Sequence, residues 1–148
     1  MANTVFAKNE AGYDAEKGDE FFPAELLTGG IIVHNFSSRT PGGNRTVKYV
    51  DPGASASGRF TCDLFPPEHP FKLFVTGTSY IDEKPVLEVS VNGIVVWKGE
   101  AFERYRFTVK EIEIPVVALK RNNTLVLKCD SPAGTRRKAV IHYAVIKK

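Results

Sequence analysis

Polar and apolar residues alternate along most of the chain after residue 30, and no long stretch carries apolar residues at helical spacing. A period of two places successive side chains on opposite faces, which is typical of half-buried β-strands. Phe71, Leu73 and Val75, for example, fall on one face, and Phe74 falls on the other. The alternation predicts eight to ten short strands, in residues 31–36, 46–50, 58–64, 71–80, 86–99, 102–114, 124–129 and 139–146.

Turn-forming residues separate these segments at the spacing of a β-sandwich. Ser, Pro and Gly dominate residues 37–45, and Asp51-Pro52-Gly53 closes one strand. No strand–helix–strand alternation supports a parallel sheet with a nucleotide crevice. We therefore predict one all-β domain over residues 1–148, a two-sheet antiparallel β-sandwich of jelly-roll type.

The first 28 residues are acidic and weakly patterned. They predict an irregular N-terminal segment that packs on the sandwich, with a short strand near Val5 and a helical turn over residues 23–27.

Asn92-Gly93 lies between two apolar-rich runs, the strongest local signal for a two-residue β-hairpin. An uninterrupted ladder would place Val89 opposite Val96 and Glu88 opposite Trp97. One face, predicted to pack on the core, then carries Leu87, Val89, Val91, Ile94 and Val96. The other face, which is mixed, carries Glu88, Ser90, Val95 and Trp97.

The chain has 148 residues, 43% of them hydrophobic, which suits one globular domain and excludes a wholly disordered chain. The net charge of +3 does not by itself indicate nucleic acid, and we expect no nucleic-acid partner. Residues 1–74 carry a net charge of −2 and residues 75–148 carry +5. Much of the surplus lies in Arg136-Arg137-Lys138, which is either a solvated turn or part of a site for an anionic polymer.

The apolar runs are far shorter than the roughly 20 residues of a membrane-spanning helix, so we expect no membrane partner. The first 20 residues lack the basic head and apolar core of a secretion signal. The expected localisation is extracellular if the chain belongs to a secreted multimodular enzyme, and cytoplasmic otherwise.

Cys62 and Cys129 lie in alternating apolar runs, which predicts two buried free thiols. A disulfide stays open for a secreted domain. The three histidines are scattered, and none of the common catalytic or nucleotide-binding motifs is present, so we predict no catalytic residues and no zinc site.

The second half of the chain, over about residues 71–146, resembles the galactose-binding-like jelly-roll domains. The residues that carry the resemblance are turn and core positions: Val89, Val91, Asn92, Gly93, Ile114, Pro115, Leu119, Lys120, Asn123, Leu125 and Leu127. The resemblance implies a non-catalytic carbohydrate-binding module beside a glycoside hydrolase or lyase, with a polysaccharide or oligosaccharide as ligand. Many such domains hold a structural calcium ion, but the resemblance assigns no calcium ligands in this sequence.

Sugars present C–H faces that pack on aromatic rings, while polar neighbours bond the hydroxyls. Trp97 opposite Glu88 is the first candidate for such a site. Tyr105 between Arg104 and Arg106 is the second, and Tyr80 is the third. Asn44, Arg45 and Tyr49 form a weaker fourth set. Each ring also has a structural interpretation, since a lone tryptophan often packs under a loop and tyrosines often close the end of a sandwich.

Two other functions stay open at this stage. The mixed face with Val95 and Trp97 would also suit a protein-interaction or oligomerisation domain. Arg104, Arg106, Arg136 and Arg137 would suit an anionic ligand.

Overall fold

A computed structural model of the chain describes residues 12–37, 45–80 and 83–148, and it contains ten strands there. The strands are β1 (Glu20–Pro23), β2 (Ile31–Phe36), β3 (Arg45–Val50), β4 (Ser55–Thr61), β5 (Phe71–Ser79), β6 (Val86–Val91), β7 (Ile94–Glu100), β8 (Thr108–Ile114), β9 (Asn122–Cys129) and β10 (Ala139–Lys147). Single 3₁₀ turns span Ala15–Lys17, Ala24–Leu26 and Val116–Ala118. No helix in these ranges is long and apolar enough to cross a membrane.

The strands form two antiparallel sheets that pack face to face. The six-stranded sheet has the order β2-β3-β10-β5-β8, and β1 also pairs with β10. The four-stranded sheet has the order β4-β9-β6-β7. The prediction of an all-β, two-sheet antiparallel sandwich is therefore confirmed.

The core lies between the sheets and follows the alternation of the sequence. Leu73 and Val75 of β5 and Leu125 and Leu127 of β9 are fully buried. Burying an aliphatic side chain of this size contributes roughly 1.5–3 kcal/mol, so the repeated pattern stabilises the sandwich along its length. Cys62 and Cys129 are both buried and free, as predicted, and burial raises the pKa of the Cys62 thiol.

The N-terminal segment packs on the outer face of the six-stranded sheet. Phe21 contacts Tyr143 at 5.7 Å between ring centroids, and Tyr13 contacts Phe21 at 5.6 Å. Asp19 accepts a 2.8 Å hydrogen bond from Lys147 Nζ, which ties the segment to β10. The predicted helical turn over residues 23–27 is present as the turn at Ala24–Leu26, whereas the predicted strand near Val5 lies outside the described residues.

Two predicted strands differ from the observed ones by three residues or more at one end. Residues 102–107 precede β8 as a loop, because buried Phe102 packs against Gly77, where a Cβ atom would lie only 2.6 Å from its ring. The strand predicted over residues 58–64 instead covers Ser55–Thr61, and Leu64 beyond its end is 70% exposed.

Buried Asn123 joins the connections at one end of the sandwich. Its Nδ2 donates to the carbonyls of Lys120 at 2.8 Å and Phe60 at 3.4 Å. Its Oδ1 accepts from Lys120 N–H at 2.7 Å and from Asn92 Nδ2 at 2.8 Å. One side chain therefore fixes the ends of β4, β9 and the β6–β7 hairpin relative to one another.

Replacing Asn123 by alanine should lower the free energy of unfolding by about 2–4 kcal/mol, because several buried polar groups lose their partners. Urea denaturation measures this change. The matched control is Asn122→Ala, since Asn122 is exposed and its loss should cost less than about 0.5 kcal/mol. Equal losses for the two variants would contradict the assignment.

Candidate functional site

An open cleft of about 450 Å³ lies at one end of the sandwich, opposite to the end that Asn123 joins. Lys84, Glu103, Arg104 and Tyr105 line it. Lys84 precedes β6, and the other three residues lie in the loop before β8. Two predicted ligand residues, Arg104 and Tyr105, therefore share one cavity.

Tyr105 is held in the cleft wall in an unusual backbone conformation. Its φ is +63°, in the left-handed region, and the two other non-glycine residues with positive φ in the described ranges are asparagines. This region costs roughly 1–2 kcal/mol for a residue with a Cβ atom, and such strain is often found at functional sites. The Tyr105 N–H donates to Ser79 Oγ at 3.3 Å, which ties the loop to the end of β5. The side chain is 40% exposed.

Hydrogen bonds hold the rest of this loop as well. Thr78 Oγ1 donates to the Glu103 carbonyl at 3.3 Å, and the Glu103 N–H donates to Thr108 Oγ1 at 3.2 Å. The ends of β5 and β8 thus fix the loop that supplies three of the four lining residues.

Arg137 supports the opposite wall of the cleft. Its Nε donates to the Lys84 carbonyl at 2.9 Å. Its guanidinium also lies 3.4 Å from the Glu100 carboxylate and 4.0 Å from that of Glu83. Arg137, one of the arginines considered for an anionic ligand, is therefore engaged in positioning Lys84.

Tyr80 directly follows Ser79 and begins a row of aromatic rings on the outer face of the six-stranded sheet. Its ring lies edge-on to that of Tyr49, with 5.3 Å between the centroids. Burial is the main cause that raises the pKa of Tyr49, and electrostatic interaction with Tyr80 is the second cause. Lys138 Nζ lies 4.4 Å from the centroid of Tyr80 and 5.1 Å from that of Tyr49. Lys138 also pairs with Asp51 at 3.3 Å.

The row continues through Phe36 and Phe107 to His142. Phe36 lies 6.0 Å from Phe107, and Phe107 lies 5.3 Å from His142. Buried Arg45 stacks 4.5 Å above Phe107, and its guanidinium lies 3.3 Å from His142 Nδ1. Burial, with the Arg45 charge as a second cause, lowers the pKa of His142 to about 3.

The predicted hairpin register is wrong beyond its first two pairs. Val91 pairs with Ile94 and Ser90 with Val95 as predicted, but Val89 then pairs with Trp97. Val96 is the extra residue of a β-bulge, and a bulge moves every later side chain to the other face.

Trp97 consequently packs at the margin of the core instead of standing on the opposite face. Its indole lies over Gly99, and Lys110 Nζ lies 4.6 Å from its centroid. In the strand register, Glu88 lies opposite Lys98 of β7 and Lys128 of β9. Glu88 is therefore not opposite Trp97, as the sequence had predicted. Neither residue lines the cleft at Tyr105.

Sequence reasoning missed Lys84 and Phe107 at this end of the molecule, whereas Lys138 belongs to the basic run Arg136-Arg137-Lys138 that it had singled out. Arg45 and Tyr49 of the predicted fourth set both lie along this row of aromatic rings, since residues four apart on a strand share a face, and Asn44 lies outside the described residues. Arg106 is exposed beside the lining residues.

No group of three or more His, Cys, Asp or Glu side chains within the described ranges is arranged to hold a metal ion. Calcium prefers six to eight oxygen ligands. Asp19, whose side chain is 2% exposed, bonds Lys147 and the Lys148 N–H instead. The described residues therefore contain no cluster of acidic side chains for the structural calcium ion that many such domains hold, and that ion stays a prediction.

Trp97→Ala should lower the free energy of unfolding by about 2–3 kcal/mol, somewhat less than a fully buried aromatic truncation, because the half-buried indole packs on the core. Urea denaturation tests this, with Val95→Ala as the control, since Val95 is 53% exposed on the same strand. A loss below about 0.5 kcal/mol for Trp97→Ala would mean that the ring is displayed to solvent.

His142 should make the fold sensitive to acid. Its pKa is about 3 when folded against about 6.5 when unfolded, so between these values the unfolded state binds more protons. The free energy of unfolding should fall by up to about 1.4 kcal/mol per pH unit as the pH drops below 6.5. His142→Gln should remove this component and His34→Gln, at an exposed position, should retain it. Urea denaturation at pH values on either side of this window is the measurement, and equal pH slopes for all three proteins would refute the assignment.

No protein-family model and no curated protein matches the chain. Solved structures do match it. The CBM36-1 domain of a multidomain xylanase from the hindgut metagenome of Trinervitermes trinervoides has a TM-score of 0.64 at 14% identity, covering 88% of this chain and 97% of that chain. A CBM36 carbohydrate-binding module in complex with calcium and xylotriose has a TM-score of 0.63 at 14% identity, covering 86% and 99%. A family 35 carbohydrate-binding module from Clostridium thermocellum has a TM-score of 0.58 at 10% identity, covering 86% and 96%. The chain therefore has the β-sandwich fold of these carbohydrate-binding modules.

Proposed function

We propose that this chain is a non-catalytic carbohydrate-binding module that binds a polysaccharide or oligosaccharide in the end cleft. The observation that carries the proposal is Tyr105, an exposed ring held in a strained backbone conformation among three charged side chains. The fold shared with known carbohydrate-binding modules supports it.

The composition of the cleft suits a sugar. A pyranose packs its C–H face on an aromatic ring, and Tyr105 offers a large contact area with few torsions to restrict. Glu103 accepts hydrogen bonds from hydroxyls, and Lys84 and Arg104 donate to them. The cleft volume of about 450 Å³ lies in the roughly 300–1,000 Å³ range of small-ligand sites.

Tyr80 and Tyr49 extend this surface along the edge of the six-stranded sheet. The Tyr105 N–H bonds Ser79, which immediately precedes Tyr80, so the two surfaces are neighbours. Lys138 and Asp51 supply a donor and an acceptor beside the tyrosine pair. A polysaccharide chain would therefore occupy the cleft and continue toward Tyr80.

We also propose that the module serves a glycoside hydrolase or lyase and would be exported with it. A binding module raises the effective concentration of an attached catalytic domain at its polymer without adding contacts to the catalytic site. The structural match within a multidomain xylanase supports such a partnership.

Affinity electrophoresis across a panel of soluble polysaccharides, followed by calorimetry, tests the function. Tyr105→Ala should weaken binding by about tenfold to a hundredfold, if stacking on a sugar resembles stacking on a base at roughly 1–3 kcal/mol. Tyr105→Gly should also lose affinity, yet remain within about 1 kcal/mol of the parent in stability, because glycine relieves the positive φ.

Phe65→Ala is the matched control, since Phe65 is 39% exposed and lies in the β4–β5 connection, away from the cleft. Its affinity should equal that of the parent. Trp97→Ala decides between the two candidate sites. A large loss of affinity in this variant, with no loss in Tyr105→Ala, would place the site at Trp97, the first candidate from the sequence. Binding of no glycan at all would refute the function.

A further inference from the structure

We infer that the end cleft selects sugars that carry a carboxylate, such as the uronic acid units of an acidic polysaccharide. This inference rests on the proposed function and names the ligand class for the same site. It is based on a comparison of Lys84 with the neighbouring cations, Arg137 and Lys138, which form ion pairs within the protein.

Two cations near the cleft already have an anionic partner within the protein. Arg137 lies 3.4 Å from Glu100, and Lys138 lies 3.3 Å from Asp51. Lys84 differs, because within residues 12–37, 45–80 and 83–148 no carboxylate lies within ion-pair distance of its ammonium group. Its backbone is nevertheless fixed by the Arg137 hydrogen bond at 2.9 Å. A lysine that lines a cleft from a fixed backbone position, with no carboxylate partner among the described residues, is suited to an anionic group on a ligand.

Arg104 lines the same cleft and favours a carboxylate in particular. The guanidinium is planar and offers paired donors that match the two oxygens of a carboxylate. Lys84 and Arg104 together thus provide a point charge and a directional donor around one cavity.

Glu103 limits how much negative charge the ligand can carry. A carboxylate in the cleft wall would repel a densely charged polymer such as a nucleic acid, whose phosphates are closely spaced. The same carboxylate accepts hydrogen bonds from hydroxyl groups. The lining therefore suits one carboxylate with hydroxyls beside it, which is the chemistry of a uronic acid residue. The net charge of +5 on residues 75–148 would assist the approach of such a polymer.

The test compares polysaccharides that differ only in their carboxylates. Polygalacturonate, alginate and glucuronoxylan are each measured by calorimetry beside a carboxyl-reduced sample of the same polymer. At least one native polymer should bind about tenfold or more tightly than its reduced form, and this difference should shrink at high ionic strength.

Lys84→Gln and Arg104→Gln should each remove most of that preference, because affinity for the native polymer should fall by a larger factor than affinity for the reduced polymer, whose hydroxyls the same side chains bond. Lys72→Gln is the control, because Lys72 is exposed on β5 near Glu111 and its loss changes the net charge equally. Lys72→Gln should keep the full preference. An equal loss in Lys72→Gln would reduce the effect to net charge and overturn the inference.

Two further outcomes separate this inference from the function on which it rests. Equal binding of native and reduced polymers would overturn the carboxylate selectivity and leave carbohydrate binding intact. Single-stranded DNA that binds as tightly as the best uronate would overturn it in favour of a general polyanion site. Failure of every acidic and neutral glycan to bind would overturn both proposals.

Discussion

The last strand, β10, is the element on which the rest of the structure depends. It forms ladders with β5 along its length, with β3 at its start and with β1 toward its end. All residues from Ala139 to Ile146 are buried, so the strand carries core on one face and aromatic packing on the other. Such near-complete burial needs cover on both sides, and the N-terminal segment supplies part of it through Phe21. The start of β10 pairs with Ser79, the residue that also fixes Tyr105.

Much of the fold could be predicted because a two-residue period is a local property of the sequence. The bounds of β2 agree with the pattern, and those of β9 and β10 differ by two residues or fewer. Residues 102–107 were wrongly predicted as strand because Phe102 and Phe107 are both apolar. In the structure Phe102 packs against Gly77, whereas Phe107 packs against His142 on the outer face of the six-stranded sheet. Only tertiary packing distinguishes those two destinations. Lys84 had no local signal at all, since its role follows from a hydrogen bond with Arg137, 53 residues away.

The bulge at Val96 shows why a candidate site is harder to predict than a fold. One extra residue leaves both strands of the hairpin in place, yet it reverses the face on which Trp97 lies. The prediction at Tyr105 needed no register, only a ring flanked by charged residues, and one of the two flanking arginines, Arg104, does line the same cleft. Site residues in loops can thus be proposed from composition, whereas site residues on strands require the exact pairing.

The same bulge has a consequence for solubility. β7 is an edge strand of the four-stranded sheet, and Ile94 and Val95 there are 43% and 53% exposed. A regular apolar edge would offer backbone groups to another strand and invite aggregation. The bulge interrupts that ladder, and Lys98 places a charge two residues beyond it. Removing Val96 to restore a regular strand would therefore give a flatter edge with a greater tendency to self-associate.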